Sequence, residues 1–243
     1  MNRTVIITGA TRGLGLSLAV RFLAAGDRVI GISRTRRAWK SALAASPNPG
    51  LFQLYQADVS SEPQVKKVLA HLRRKGLVPD ILINNAGDGT RLARTEELSL
   101  RELERSLAQN LTSAFLMCRE WIPAMRKRGR GLILNVSSMA GVRAVPKLFA
   151  YSAGKFGIMA LSQCVAKENE DTGIRCLTIC PGGMNTPMRA ALFGKKDAAR
   201  QQTPDFVADL VMQVVEDKLP MNSGSALVIR HSKIWSLEPV PAA

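Results

Sequence analysis

The sequence predicts an α/β fold built as one domain over residues 1–243: a doubly wound, seven-stranded parallel sheet with helices on both faces. Three observations predict it. Short β-branched or apolar runs alternate with helix-length segments along the chain, which implies right-handed crossovers between parallel strands. Several of those runs are continuously apolar, as strands covered on both faces must be. A glycine-rich turn, Thr8–Gly15, joins the first run directly to the first helical segment.

The expected strands are Thr4–Thr8, Arg28–Ile32, Leu51–Gln56, Ile81–Asn84, Gly131–Val136, Ile174–Ile179 and Ala226–Ile229. The helical segments between them are Leu14–Ala25, Glu62–Lys75, Leu100–Arg128, Tyr151–Glu170 and Pro204–Lys218. Leu100–Arg128 is long for one helix, and Pro123 near its end predicts a kink or break there, because proline lacks the N–H and crowds the preceding turn. No internal repeat, low-complexity tract or linker divides the chain. This length suits one large α/β domain.

Composition narrows the class further. Apolar residues make up 46% and charged residues 22%, enough to bury a large core and unlike a disordered or fibrous chain. No apolar run reaches the 18 or so residues that a membrane span needs, and the N-terminal MNRTVIITGATRG has no signal-peptide cleavage pattern. The expectation is a soluble cytoplasmic protein. Its four cysteines are expected as buried, reduced thiols, and with only His71 and His231 as histidines no metal site is expected.

The net charge is +15 at pH 7. Arg73-Arg74-Lys75 and Arg126-Lys127-Arg128 each close a helical segment, where cations complement the dipole and cover apolar surface with their stems. Nucleic acid is not the expected partner: no known binding motif is present, and aromatic residues, at 5%, offer little for base stacking.

The turn Thr8-Gly9-Ala10-Thr11-Arg12-Gly13-Leu14-Gly15 carries chemistry. Glycines let the backbone bend sharply and approach a pyrophosphate, while the following helix offers free N–H groups and a positive dipole end. The second strand then ends at Ser33-Arg34, followed by Arg36 and Arg37, with no acidic residue nearby. A dinucleotide fold selects its cofactor about twenty residues beyond the glycine turn. An acid there accepts from a ribose 2′-hydroxyl, whereas a guanidinium pairs with a 2′-phosphate. With Arg12 as a second cation, the expected cofactor is NADP(H) rather than NAD(H).

Further motifs follow in order: Asp58-Val59, Asn84-Asn85-Ala86-Gly87, Asn110, Ser138, Tyr151-x-x-x-Lys155 and Pro181-Gly182-Gly183-Met184-Asn185-Thr186. With these, residues 3 to 190 resemble the short-chain dehydrogenase/reductase family, of Rossmann fold. The pairing of Arg12 with Arg34 resembles its NADP(H)-dependent reductases, including bacterial 3-oxoacyl-carrier-protein reductases.

Tyr151 and Lys155 lie four apart, so on a helix they share a face. A free tyrosine titrates near pH ~10, and a neighbouring ammonium lowers that value towards the working range. Tyr151 is therefore the expected acid/base. The resemblance implies that Lys155 also holds the nicotinamide ribose, that Ser138 orients the substrate oxygen, and that Asn110 holds a water relaying protons to Lys155. Ser137 is adjacent, and only the resemblance prefers Ser138 to it. By the same resemblance, Gly9, Thr11, Arg12, Gly13, Leu14 and Gly15 take the pyrophosphate, Ser33 and Arg34 the 2′-phosphate, and Asp58 and Val59 the adenine. Ala86 and Gly87 border the adenosine ribose, Pro181-Gly182 ends the sixth strand, and Gly183, Met184 and Thr186 grip the nicotinamide carboxamide, with Asn85, Pro181 and Gly182 also among the expected cofactor-binding residues. Asn84 is expected to be structural.

The last quarter departs from the family pattern. A typical member ends in a seventh strand and an Asp-Gly-Gly turn; this chain has Ser225–Arg230 and then His231-Ser232-Lys233-Ile234-Trp235. That segment, 225–243, often builds a subunit interface, so both a homodimer and a homotetramer stay open, with the helices around Leu100–Lys127 and Tyr151–Glu170 as the contact. Residues 186–203 are expected as a substrate lid, with Lys195 and Lys196 near the entrance, and Trp235 and His231 are expected to pack, with shaping the pocket as the alternative. The activity implied is interconversion of a ketone and a secondary alcohol, on a 3-oxoacyl thioester, carrier-bound as in the reductases it resembles, or on a specialised metabolite. The alternative is a catalytically silent nucleotide-binding scaffold of the same fold.

Overall fold

In a computed structural model, residues 3–35, 43 and 46–237 are described. Arg36 and Arg37, named above as candidate cations beyond the second strand, lie outside them. Eight strands form one sheet in the order β3-β2-β1-β4-β5-β6-β7-β8. They are β1 Thr4–Thr8, β2 Arg28–Ser33, β3 Phe52–Gln56, β4 Ile81–Asn84, β5 Gly131–Val136, β6 Ile174–Pro181, β7 Ala226–Arg230 and β8 Lys233–Leu237. The first seven pair in parallel, as expected. The eighth is an addition: the chain reverses at His231-Ser232 and β8 returns antiparallel along the edge of β7.

Alternation along each strand feeds two cores. Val5 and Ile7 of β1 face one layer while Ile6 faces the other. The first layer is built by α1 (Gly13–Ala24), through Leu14, Leu18 and Phe22, and by α8 (Pro204–Val215), through Val207, Leu210 and Val211. The opposite layer is built by α2 (Glu62–Arg74), through Val65, Leu69 and Leu72, and by α4 (Ser113–Arg128), through Leu116, Trp121 and Met125. Both faces of the sheet are thus dry, which is why its strands read as continuous apolar runs.

The long Leu100–Arg128 segment is interrupted, but not at Pro123. Helix α3 (Leu100–Leu107) passes through a π turn, Ala108–Thr112, into α4, which runs on through Pro123 to Arg128. The missing proline N–H removes one helical bond, and the burial of Trp121 and Met125 on either side holds the helix against the sheet. The widened turn falls instead at Asn110, where helices insert an extra residue at functional sites. Helix α5 (Phe149–Lys167) follows β5; α6 (Pro187–Phe193) and α7 (Lys195–Ala199) are two short helices within 186–203.

One thiol departs from expectation. Cys118, Cys176 and Cys180 are buried and free, but Cys164 is exposed, because its position on α5 turns away from the face that carries Ser162, Val165 and Ala166 inward. No helix among the described residues is long and apolar enough to cross a membrane.

Candidate active site

Strand order reverses between β1 and β4, and a crevice opens at their carboxyl ends, where doubly wound sheets bind ligands. The Thr8 hydroxyl ties the two strand ends together by accepting from the Asn85 and Ala86 N–H groups. Asn85 Nδ2 in turn donates to the Thr8 carbonyl at 2.9 Å, so the side chain of Asn85 holds the glycine turn rather than lying idle beside it. Gly9 sits at φ +71° and Gly13 at φ +53°, both in the left-handed region that favours glycine. A Cβ on Gly15 would run into the Gly9 carbonyl oxygen and the Asn85 amide, so only glycine lets α1 start this close to β1.

The crevice encloses about 440 Å³ and is lined from the turn by Gly9, Thr11, Arg12, Gly13 and Leu14. Ser33, Arg34, Asp58, Val59, Asn85, Ala86 and Gly87 line one end; Asn110, Tyr151, Lys155, Met184 and Thr186 line the other. Ser138 and Gly182 line an adjoining cleft of about 340 Å³ that shares Tyr151, Met184 and Thr186 with the first. Gly15 and Pro181 line neither: Gly15 packs behind the turn, and Pro181 is buried at the end of β6, paired with Ile229. Sequence reasoning missed Ile32, Thr35, Ala57 and Gln109 in the first cleft. In the second it missed Arg230, whereas Leu192 and Phe193 fall within the lid expected over 186–203. Trp235, Lys195 and Lys196 line neither, whereas His231 lines the second.

Lys155 is buried, and its ammonium donates to the Val136 carbonyl at 2.9 Å and lies 5.7 Å from the centre of the Tyr151 ring. Burial pulls it down to about 8. Burial likewise pushes the Tyr151 hydroxyl above the usual phenol range, while a hydrogen bond with Ser138 pulls the other way. The net lowering of Tyr151 expected from the sequence is not found: loss of solvent around the phenol dominates, and the opposing pull comes from the Ser138 hydrogen bond. The two serines separate clearly. Ser137 is buried and its hydroxyl is committed to the Lys155 carbonyl at 2.8 Å; Ser138 is half-buried, with its hydroxyl beside Tyr151.

Asn110 is buried and works on the backbone. Its Nδ2 donates to the Asp88 carbonyl at 2.9 Å and to the Ser106 carbonyl at 3.0 Å, and its Oδ1 accepts from the Asp88 N–H at 3.2 Å. A Cβ on Gly87 would lie 2.9 Å from Asn110 Oδ1 and 3.2 Å from Lys155 Nζ, so these two polar atoms converge on one bare backbone position. Asn84, in mid-sheet, donates to Asn135 Oδ1 at 2.8 Å, a structural contact as expected.

At the other end, Asp58 accepts from the Ser60 N–H and hydroxyl at 2.9 and 2.7 Å. Burial alone would raise its carboxyl, but the Ser60 bonds and the Arg34 charge together hold it below the usual range. The Ser33 hydroxyl is buried at the cleft wall with no partner. Arg34 meets Asp88 at 3.3 Å.

These residues fit a nicotinamide dinucleotide. The glycine cradle admits a pyrophosphate against the uncapped start of α1, whose first turn holds no acid, and Ser33 offers an unused polar group at the ribose end. Fold and site together define a dinucleotide-binding oxidoreductase class. The model of the short chain dehydrogenase family matches residues 3–197, and the chain belongs to that family. It is 30% identical over 243 residues to a 2-(R)-hydroxypropyl-CoM dehydrogenase of Xanthobacter autotrophicus, covering 94% of this chain and 97% of that one. It is 32% identical to an NADPH-dependent pterin aldehyde reductase of Arabidopsis thaliana, covering 93% of each. The fold superposes with a TM-score of 0.84 on a 3-ketoacyl-(acyl-carrier-protein) reductase from Brucella melitensis complexed with NADH, at 28% identity over 93% of this chain and 96% of that one. Relatives named as dehydrogenases and reductases make this chain an oxidoreductase of the CH–OH/C=O type.

Proposed function

We propose that the chain is an NADP(H)-dependent ketoreductase that interconverts a ketone and a secondary alcohol, with Tyr151 as acid/base. The observation that carries this reading is the convergence of Ser138, Tyr151, Lys155 and Asn110 where the two clefts meet. A scaffold that only binds nucleotide has no use for a phenol, an ammonium and a serine hydroxyl on one small volume.

A bound nicotinamide contributes hydride chemistry. The chain's own residues do the rest. Ser138 orients the substrate oxygen by hydrogen bonding. Tyr151, whose phenol stays protonated at neutral pH, donates its proton to that oxygen in reduction and recovers it in oxidation. Lys155, pulled down to about 8, sits within reach of exchanging a proton at working pH, so it can recharge Tyr151 as well as hold the ribose. Asn110 acts here by fixing the loop at Asp88 and presenting its polar edge beside the Lys155 ammonium.

Arg12 and Arg34 support NADP(H), since both line the cleft and no acid closes β2. Relatives are known with both cofactors: one is an NADPH-dependent reductase and one was crystallised with NADH. The exposed Leu100, Phe115, Phe149 and Phe156, on or beside the helices named above, support a homo-oligomer. We read 186–203 as the substrate lid of a one-domain enzyme, since Thr186, Arg189 and Leu192 all line the second cleft.

Turnover tests the proposal. With a panel of ketones and NADPH, reduction is expected in the unmutated chain and a loss of at least 1000-fold in kcat for Tyr151→Phe. Nucleotide binding with no turnover on any ketone or alcohol, and no effect of Tyr151→Phe, would overturn it in favour of the silent scaffold.

A further inference from the structure

We infer that the substrate carries a carboxylate, recognised by Arg143 and Arg230 at the far wall of the second cleft. This inference rests on the ketoreductase reading and names its substrate class. The cleft begins at Ser138 and Tyr151 and contains three arginines, Arg143, Arg189 and Arg230, with no aspartate or glutamate on its lining. Arg189 is accounted for: it meets Asp197 at 2.5 Å and stacks over the Phe193 ring at 4.0 Å. Arg143 and Arg230 have no carboxylate partner among the described residues. Two uncompensated guanidiniums on a partly enclosed wall create a positive potential that a bound anion relieves.

The backbone beneath them is unusual in the same places. The hairpin between β7 and β8 turns on His231 at φ +50° and Ser232 at φ +58°, two non-glycine residues in the left-handed region. The loop carrying Arg143 leads to Lys147 at φ +64°. Such conformations are costly for side chains with a Cβ, by about 1 kcal/mol or more each, and persist where surrounding structure holds them. Here they fix the two segments that bring cations to the cleft. Ser232 N–H donates to Gln202 Oε1 at 3.2 Å, and Gln202 Nε2 donates to the Ile229 carbonyl at 3.2 Å, so a lid-side glutamine fastens both ends of the turn. Arg230 is held at the last residue of β7 against Gly182, with its side chain as near as 3.4 Å to where a Cβ on that glycine would be. Leu148, Leu192 and Phe193 on the same lining offer apolar contact to the carbon chain between a carbonyl and a terminal carboxylate.

The test pairs acetoacetate, 4-oxopentanoate and 5-oxohexanoate with their methyl esters, which keep the ketone and remove the charge. At least one acid is expected to show a kcat/KM tenfold or more above its ester, the difference residing in KM. It should also bind at least tenfold tighter than the ester by calorimetry to protein loaded with oxidised cofactor, where no turnover occurs. Arg230→Gln and Arg143→Gln are each expected to cut the acid-to-ester ratio by tenfold or more, and raised salt to narrow it. Esters that bind and react as well as every acid, a ratio unmoved in both variants, or no binding of any acid would overturn the inference. Tyr151-dependent reduction of the esters alone would leave the ketoreductase reading standing, while absence of any Tyr151-dependent turnover would remove it.

Discussion

Asn110 grips the peptide groups of Asp88 from both sides: its Nδ2 donates to the Asp88 carbonyl at 2.9 Å and its Oδ1 accepts from the Asp88 N–H at 3.2 Å. One buried amide thereby takes the place of a strand neighbour for the loop leaving β4, the loop that carries Ala86 and Gly87 past Lys155.

Asn110→Ala strips that clamp and leaves donors and acceptors unpaired, at about 1–3 kcal/mol for each group left without solvent or partner. The expected loss is about 2–4 kcal/mol in urea unfolding. Asn110→Asp, which keeps the acceptor but not the donor, is expected to fall between Asn110→Ala and the unmutated chain near pH 5. A variant as stable as the unmutated chain would show that the clamp contributes nothing.

Lys155 sits at an energetic disadvantage that follows from its place. Its folded value of about 8 lies below the ordinary lysine range, so folding disfavours the charged form. The penalty is fully present below pH 8 and is relieved as pH rises from about 8 towards 10.5, where the unfolded chain still holds the proton and the folded one has released it. Lys155→Met removes the penalty along with the bond to the Val136 carbonyl. It is expected to stabilise the protein by about 1–3 kcal/mol at pH 7, to lose that gain by pH 10, and to be inactive. Denaturant melts at the two pH values check the sign.

The glycines of the first turn are not equivalent. Gly15→Ala forces a Cβ against the Gly9 carbonyl and the Asn85 amide, both backbone-anchored, and is expected to weaken nucleotide binding by at least tenfold and to lower Tm by several degrees. Gly13→Ala meets only the Thr186 methyl at 3.4 Å, so its cost is the left-handed strain of about 1 kcal/mol. Fluorescence titration of NADPH with both variants separates crowding from strain.

The proposed preference for NADP(H) rests on Arg34, a partly exposed cation whose contact with Asp88 at 3.3 Å is weak enough to exchange for a phosphate. Titration of NADPH and NADH is expected to favour NADPH by at least tenfold in the unmutated chain and to favour NADH in Arg34→Asp. Equal affinities would sink the 2′-phosphate argument without touching the family.

Seven parallel strands, the five major helical segments and the first cleft were legible because local signals decide them. Apolar runs such as Val5–Ile7 are too dry for any surface, and the spacing Thr8–Gly15 satisfies a backbone requirement that no other residue types meet. Tyr151 and Lys155 were candidates because they share one helix face, whereas Ser138 and Asn110 entered through the family resemblance. What the sequence did not reveal depended on contacts between distant segments. The break of the long helix fell at the π turn around Asn110 rather than at Pro123, because the anchor at Asp88, 22 residues away, outweighs one lost helical bond. The residues themselves did not separate Ser137 from Ser138, which only the resemblance preferred; the packed structure supplies the reason, the Lys155 carbonyl that takes the Ser137 hydroxyl. Strand β8 exists because a two-residue left-handed turn folds 233–237 back on β7, and His231-Ser232 lacks the Asn-Gly type of signal that announces such turns. The same turn brings Arg230 into one cleft with Arg143, 87 residues earlier, a pairing of charges that only the packed sheet creates.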